Sequence, residues 1–225
     1  MIFIKADVDT KKLCKFIKNK KEEIYHDSIS IIKDYDKLLL HFGIYRGCDA
    51  ISYKKQLKGK KDIVSGILLL YDKAKLENEK LLLLGDLYET GIEKEKLVGM
   101  ILDEYKTDYS RAFLWQLGDL LYKIGDLNQL NEYEKIVVEK SFEESRQMIV
   151  LLIGKSKNEN VVNFLLKQLG DKSIEGHVIK ALSNYDSKEI FSIMQKYQEH
   201  PDKWVRNIAL KYLTKHIDCS KITKI

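Results

Sequence analysis

The chain predicts an all-α protein built from stacked helix pairs, and three observations predict it. Among 225 residues there is a single proline, Pro201, where sheets, turns and linkers would be punctuated by several. Leu, Ile, Lys and Glu dominate the composition, and all but Ile are strong helix formers. A leucine or isoleucine followed by a small residue recurs as Leu84-Gly85, Leu117-Gly118, Ile153-Gly154, Leu182-Ser183 and Leu213-Thr214, at separations of 33, 36, 29 and 31 residues. Periods of that size mark arrays whose units are each too small to bury an apolar face alone, so that stacking buries it.

Taken in chain order, Asp9 or Thr10 caps a helix running through Lys20, and Ile24 to Phe42 reads as a longer second helix. Residues 43–61 read as a loop with a short helix around Ser52 to Leu57. This first stretch, 1–61, lies outside the period and is expected to form a basic helical cap over the first repeat, with the repeat array occupying 62–225. The pairs are expected near 62–90, 92–126, 127–157, 160–185 and 188–216. Around the last three marks, apolar residues recur at the spacing of one helical face: Met148, Ile149, Leu152, Ile153; Ile174, His177, Val178, Ala181, Leu182; Val205, Ile208, Ala209, Tyr212, Leu213. Partner helices run through Val161–Leu166 and Ile190–Met194, and the turns Gly170-Asp171-Lys172-Ser173 and His200-Pro201-Asp202-Lys203 supply side-chain oxygens to cap the helix that follows.

The last unit, Asp202-Lys203-Trp204-Val205-Arg206 followed by Ala209-Leu210 and Leu213, resembles a HEAT repeat, as does Ala181-Leu182 leading into Ser187-Lys188-Glu189-Ile190. The resemblance covers roughly residues 60–216 and is strongest after 143. It implies an α-solenoid of about five HEAT-like pairs, with Asp202 capping and bridging, Val205 entering the core, and Arg206 and Arg146 stacking between units. Glu77, Ser110 and Glu175 stand in the arginine slot elsewhere, a departure from the pattern.

The net charge of +5 is unevenly spread. Residues 1–61 carry 15 Lys/Arg against 8 Asp/Glu, residues 62–173 carry 15 against 20, and residues 174–225 carry 9 against 6. A basic first quarter attracts phosphate or an acidic protein face. Cys14, Cys48 and Cys219 are odd in number and far apart, which excludes a CxxC zinc site or disulfide framework and suits a reducing cytosol; Cys14 and Cys48 are read as core thiols. The apolar start at Met1 is too short for a signal peptide, and the runs Ile67–Tyr71 and Leu81–Leu84 fall far short of a membrane span.

Aligned on the marks, Trp115 stands opposite Lys180 and Lys211, one slot off the buried stripe, and is expected to face outward as an anchor for a partner. Asp119 lies one turn from Trp115 on the same face, and Asp86 repeats it in the preceding unit. A tryptophan and an aspartate so placed resemble those of HEAT-like DNA glycosylases that remove alkylated bases, a resemblance that would give Arg146 the backbone-gripping role; the acidic balance of residues 62–173 opposes phosphate binding. Tyr53, Lys54 and Lys55 open a run of five lysines around Gly59 that offers stacking and charge to a nucleic acid or an acidic protein. The five histidines show no HxxxH spacing, and no phosphate loop or nucleophile elbow is present, so neither a metal, a cofactor nor an enzymatic activity is expected.

An extended curved surface suits gripping a protein more than turning over a small molecule. The expected function is therefore a protein-interaction module in the cytoplasm, an adaptor, scaffold or toxin-neutralising immunity-type protein. The Lys/Ile/Tyr/Asn-rich composition resembles that of a bacterial protein. Nucleic-acid binding is the alternative.

Overall fold

The computed structural model describes residues 31–156 and 158–222, and among these it is all-helical: twelve α-helices, two 3-10 segments and no strand. The helices are α1 Ile32–His41, α2 Ala50–Leu57, α3 Val64–Tyr71, α4 Glu77–Thr90, α5 Lys94–Glu104, α6 Arg111–Ile124, α7 Leu130–Val138, α8 Gln147–Ile153, α9 Glu159–Lys167, α10 Glu175–Leu182, α11 Lys188–Tyr197 and α12 Lys203–Ile222. The expected helix at Asp9–Lys20, Cys14 within it, and the first turns of the expected Ile24–Phe42 helix lie outside the described residues. Among the described residues no helix is long and apolar enough to cross a membrane.

Boundaries follow local chemistry. Asp49 starts α2 by accepting the Ile51 and Ser52 amides at 3.0 Å, and Ser110, Asn158 and Ser187 do the same for α6, α9 and α11. Gly91 and Gly125 close α4 and α6 in the left-handed conformation, at φ 75° and 67°. Within the stretch read as a loop, the short helix expected around Ser52 to Leu57 is present as Ala50–Leu57, two turns capped by Asp49, and Tyr53, Lys54 and Lys55 sit on it. The reading of Cys48 as a core thiol is corrected. Cys48 is half-exposed, its Sγ 3.0 Å from the Tyr45 carbonyl and 3.1 Å from Gln56 Nε2.

Each odd-numbered helix from α3 to α11 packs on the even-numbered helix after it, and the even-numbered helices pack on one another in order, α4 on α6, α6 on α8, α8 on α10, α10 on α12. Leu84, Leu117, Ile153, Leu182 and Leu213, the leucines and isoleucine of the repeated marks, all lie in one continuous core. Burial of such a side chain contributes about 1.5–3 kcal/mol, so this shared seam dominates the stability of the stack. The glycine of a mark lets two helices approach closely: a Cβ on Gly154 would stand 2.5 Å from Ala181 Cβ and 2.8 Å from its Cα.

Polar bonds join neighbouring units at both ends of the even helices. At their N-terminal ends, Glu77 accepts from the Ser110 amide and hydroxyl at 2.6 and 2.5 Å, Arg111 pairs with Glu143, and Gln147 donates to the Ser173 carbonyl at 2.9 Å. At their C-terminal ends, Lys155 donates to the Tyr122 carbonyl at 2.9 Å with its ammonium over the Tyr122 ring, Asn184 to that of Gly154 at 2.9 Å, and the Tyr185 hydroxyl to that of Ser156. Between the first two pairs, Lys80 donates twice to Glu104, at 2.7 and 2.8 Å, and the Tyr71 hydroxyl joins them. Burial raises the Glu104 pKa, but the Lys80 and Tyr71 hydrogen bonds outweigh it and hold the carboxyl below its usual value.

Arg146 is 1 % exposed, the largest of the fully buried side chains. Its Nη1 donates to the Val137 carbonyl at 2.7 Å and its Nε to the Glu143 carbonyl at 2.9 Å. Its Nη2 forms an ion pair at 3.0 Å with Asp171 in the turn ahead of α10, without hydrogen-bond alignment at that oxygen. The other Asp171 oxygen accepts the Ser173 amide, so the expected cap is corrected, α10 starting after Ile174 with no side-chain cap. Arg206, in the equivalent slot, turns back instead to the His200 and Pro201 carbonyls at 2.5 and 3.2 Å. No later pair lies beyond it among the described residues. Val205 is buried, and Asp202 accepts the Trp204 amide at 2.7 Å.

Candidate interaction surface

The even-numbered helices pack on one another in sequence, so equivalent positions recur from helix to helix along them. The slot two residues before each mark holds Leu82, Trp115, Leu151, Lys180 and Lys211. Leu82 and Leu151 are half-buried, Trp115 is 39 % exposed, and both lysines are exposed. Trp115 therefore stands outside the core, with its indole nitrogen donating a long 3.5 Å hydrogen bond to Gln147 on α8. The row reads apolar over α4, α6 and α8, then cationic over α10 and α12.

Asp119 lies on the same side of α6 as Trp115 and pairs with Lys123 at 2.6 Å. Its counterpart Asp86 is buried, accepting the Tyr35 and Tyr53 hydroxyls at 2.5 and 2.6 Å. Burial raises the Asp86 pKa against those two hydrogen bonds, which pull it down. Residues ahead of the period thus cover at α4 the position left half-open at α6. Tyr53 is consequently part-buried and engaged, not free to stack on a base. Lys54 pairs with Glu89 at 3.1 Å, while Lys55 is exposed. Arg146 is not on this surface at all.

A hollow of about 330 Å³ opens beside Leu82, between α2, α4 and α6. Leu81, Leu82 and Leu120 form its apolar wall, and Tyr53, Lys54 and Lys123 stand at its rim. A larger hollow, about 830 Å³, lies over the C-terminal ends of α8 and α10. It is the weaker candidate, because Lys155, Asn184, Tyr185 and Ser187 on its wall already spend their polar groups on the carbonyls and caps described above. Among the described residues no group of three or more His, Cys, Asp or Glu is placed to hold a metal ion.

At the α12 end Trp204 is 44 % exposed. Its ring lies over Gly176, where a Cβ would stand 2.7 Å from it, and 5.0 Å from the His177 ring. His177 is therefore half-buried beneath an aromatic cover, and burial lowers its pKa. The sign of the pH effect follows. As pH falls through the unfolded value near 6.5, the unfolded chain takes up a proton that folded His177 resists, so stability drops. Urea titrations at pH 7.5 and 5.5 are expected to show a smaller acid loss for His177→Gln than for the unmodified chain; equal losses would mean that His177 stays solvated.

Sequence patterning reaches Trp115, Lys180 and Lys211 through one alignment. It misses Leu82 and Leu151, which occupy the same slot but look like ordinary core leucines, and it misses the Tyr35–Asp86–Tyr53 cluster, whose only hint is the repeated Leu-Gly-Asp-Leu. Comparison with protein-family models, curated proteins and solved structures finds no match.

Proposed function

We propose that this chain is a protein-interaction module, a HEAT-like solenoid of five helix pairs that grips a partner protein along the exposed face of its even-numbered helices. The observation that carries this reading is the row Leu82–Trp115–Leu151–Lys180–Lys211, in which a tryptophan stands 39 % exposed between two leucines. An aromatic anchor bordered by apolar side chains and rimmed by charge is the anatomy of an interaction hot spot. An adaptor, scaffold or toxin-neutralising role fits such a surface.

Affinity capture from nuclease-treated lysate of the source cell tests it. One protein is expected to be retained near equal stoichiometry through high salt, and Trp115→Ala is expected to release it while the melting temperature moves by only a few degrees. If Trp115→Ala lowers the melting temperature substantially and still retains every partner, Trp115 is packing and not interface. Recovery of nucleic acid alone, from untreated lysate and only at low salt, would transfer the function to phosphate binding.

A further inference from the structure

We infer that the occupant of this face is a peptide segment of mixed character, with an aromatic or aliphatic end that seats at the Leu82–Trp115–Leu151 half and carboxylates that meet Lys180 and Lys211. The inference rests on the interaction-module reading and names the chemistry of the partner. Charge complementarity carries it. Lys180 and Lys211 are exposed and enter no ion pair among the described residues. Their helical neighbours one turn away are Gly176 and Asn184, and Asn207 and Lys215, so no carboxylate of their own helices neutralises them. At the other end, the hollow beside Leu82 offers an apolar wall and a place for one large side chain.

The two halves differ in what they reject. The α4–α8 half has no unpaired cation in the row, and Asp119 close by is already paired with Lys123. A nucleic-acid backbone needs phosphate contacts along its length, and here they stop at α8. An apolar helix without carboxylates would leave the two lysines solvated and unused. A segment that is apolar first and acidic afterwards satisfies both. Packed helices lie about 8–10 Å apart, so the five-helix row spans roughly 32–40 Å, which about 10–12 extended residues cover.

Selection of a random 12-residue peptide library displayed on phage, panned on the full chain, tests the inference directly. Selected sequences are expected to carry an aromatic or leucine cluster at one end and Asp or Glu at the other. Synthetic fluorescein-labelled copies are expected to lose about tenfold or more in affinity to Lys180→Glu/Lys211→Glu and to Trp115→Ala, with both variants melting within a few degrees of the unmodified chain. Peptides that are sensitive to Trp115→Ala but indifferent to the lysine reversal would leave the interaction module standing and overturn the acidic-peptide chemistry. A library yielding nothing sensitive to Trp115→Ala overturns the module itself. Tighter binding of a labelled 12-nucleotide single strand than of any selected peptide, lost on the lysine reversal, would overturn both in favour of nucleic acid.

Discussion

Arg146→Ala is expected to lose about 3–5 kcal/mol of stability, the cost of breaking a buried ion pair by removing one partner. For a chain of this size that lowers the melting temperature by roughly 10 °C. The cost has identifiable sources. The guanidinium is 1 % exposed and supplies hydrogen bonds to the Val137 and Glu143 carbonyls, which would be left without their donor. It also stands 3.0 Å from Asp171, whose side chain is 15 % exposed and would remain charged with no cation beside it. Arg146→Lys should fare little better, since one ammonium cannot reach three acceptors in the geometry of a guanidinium fork. Arg146→Met with Asp171→Asn removes both charges and is expected to recover part of the loss while leaving the Ser173 amide its acceptor. Chemical denaturation of the four proteins decides the matter. A loss under 1 kcal/mol for Arg146→Ala would mean that water reaches the site and that the third and fourth pairs are not joined through it.

Gly154→Val should be the next most damaging change, because nothing soft lies in the way of the new side chain. Its Cβ would meet Ala181 Cβ at 2.5 Å and Ala181 Cα at 2.8 Å, and the Cα belongs to backbone that cannot rotate aside. Helices α8 and α10 must then move apart, at a cost of about 1–3 kcal/mol or somewhat more. Gly154→Ala is a gentler form of the same insult. Paired with Ala181→Gly it should be less destabilised than the sum of the single changes by about 1 kcal/mol or more, read from a double-mutant cycle. Strict additivity would place the strain elsewhere. Gly85, at the equivalent position of α4, has nothing within 4 Å of the same built Cβ, so Gly85→Ala serves as the control.

Those two residues also mark how far sequence reasoning reaches. The all-helical class is legible in the single proline and in the recurring apolar stripes, since helix formation answers to local spacing and every stripe must be buried by something. The marks identify Gly154 as a register position, yet only the packing reveals that this glycine and not Gly85 is pressed against a neighbour. Arg146 is legible as a slot, through its alignment with Arg206, but the two behave differently, one reaching Asp171 of the next unit and the other turning back to the His200 and Pro201 carbonyls. Asp86 and Asp119 look alike in sequence and part company in the fold, one covered by Tyr35 and Tyr53, the other half-open beside Lys123. In each case the missing information is what lies across the interface, which no local pattern encodes. The apolar half of the row shows the same limit, for an exposed leucine and a buried one are spelled alike.

The bonds that tie one unit to the next, Glu77 to Ser110, Arg146 to Asp171, Gln147 to Ser173, Asn184 to Gly154, each span 25 to 33 residues along the chain. Among the described residues no side-chain hydrogen bond or ion pair ties the first pair directly to the last. Tension applied to the two ends would therefore pass through the interfaces in series, each interface carrying the full load, while the three bonds between the third pair and the fourth share it among themselves. Such a body yields at its weakest joint while the others hold, and lengthens in steps about one helix pair in size. The solenoid proposed above would act as a spring with links of unequal stiffness, stiffest where Arg146 is locked between the third pair and the fourth.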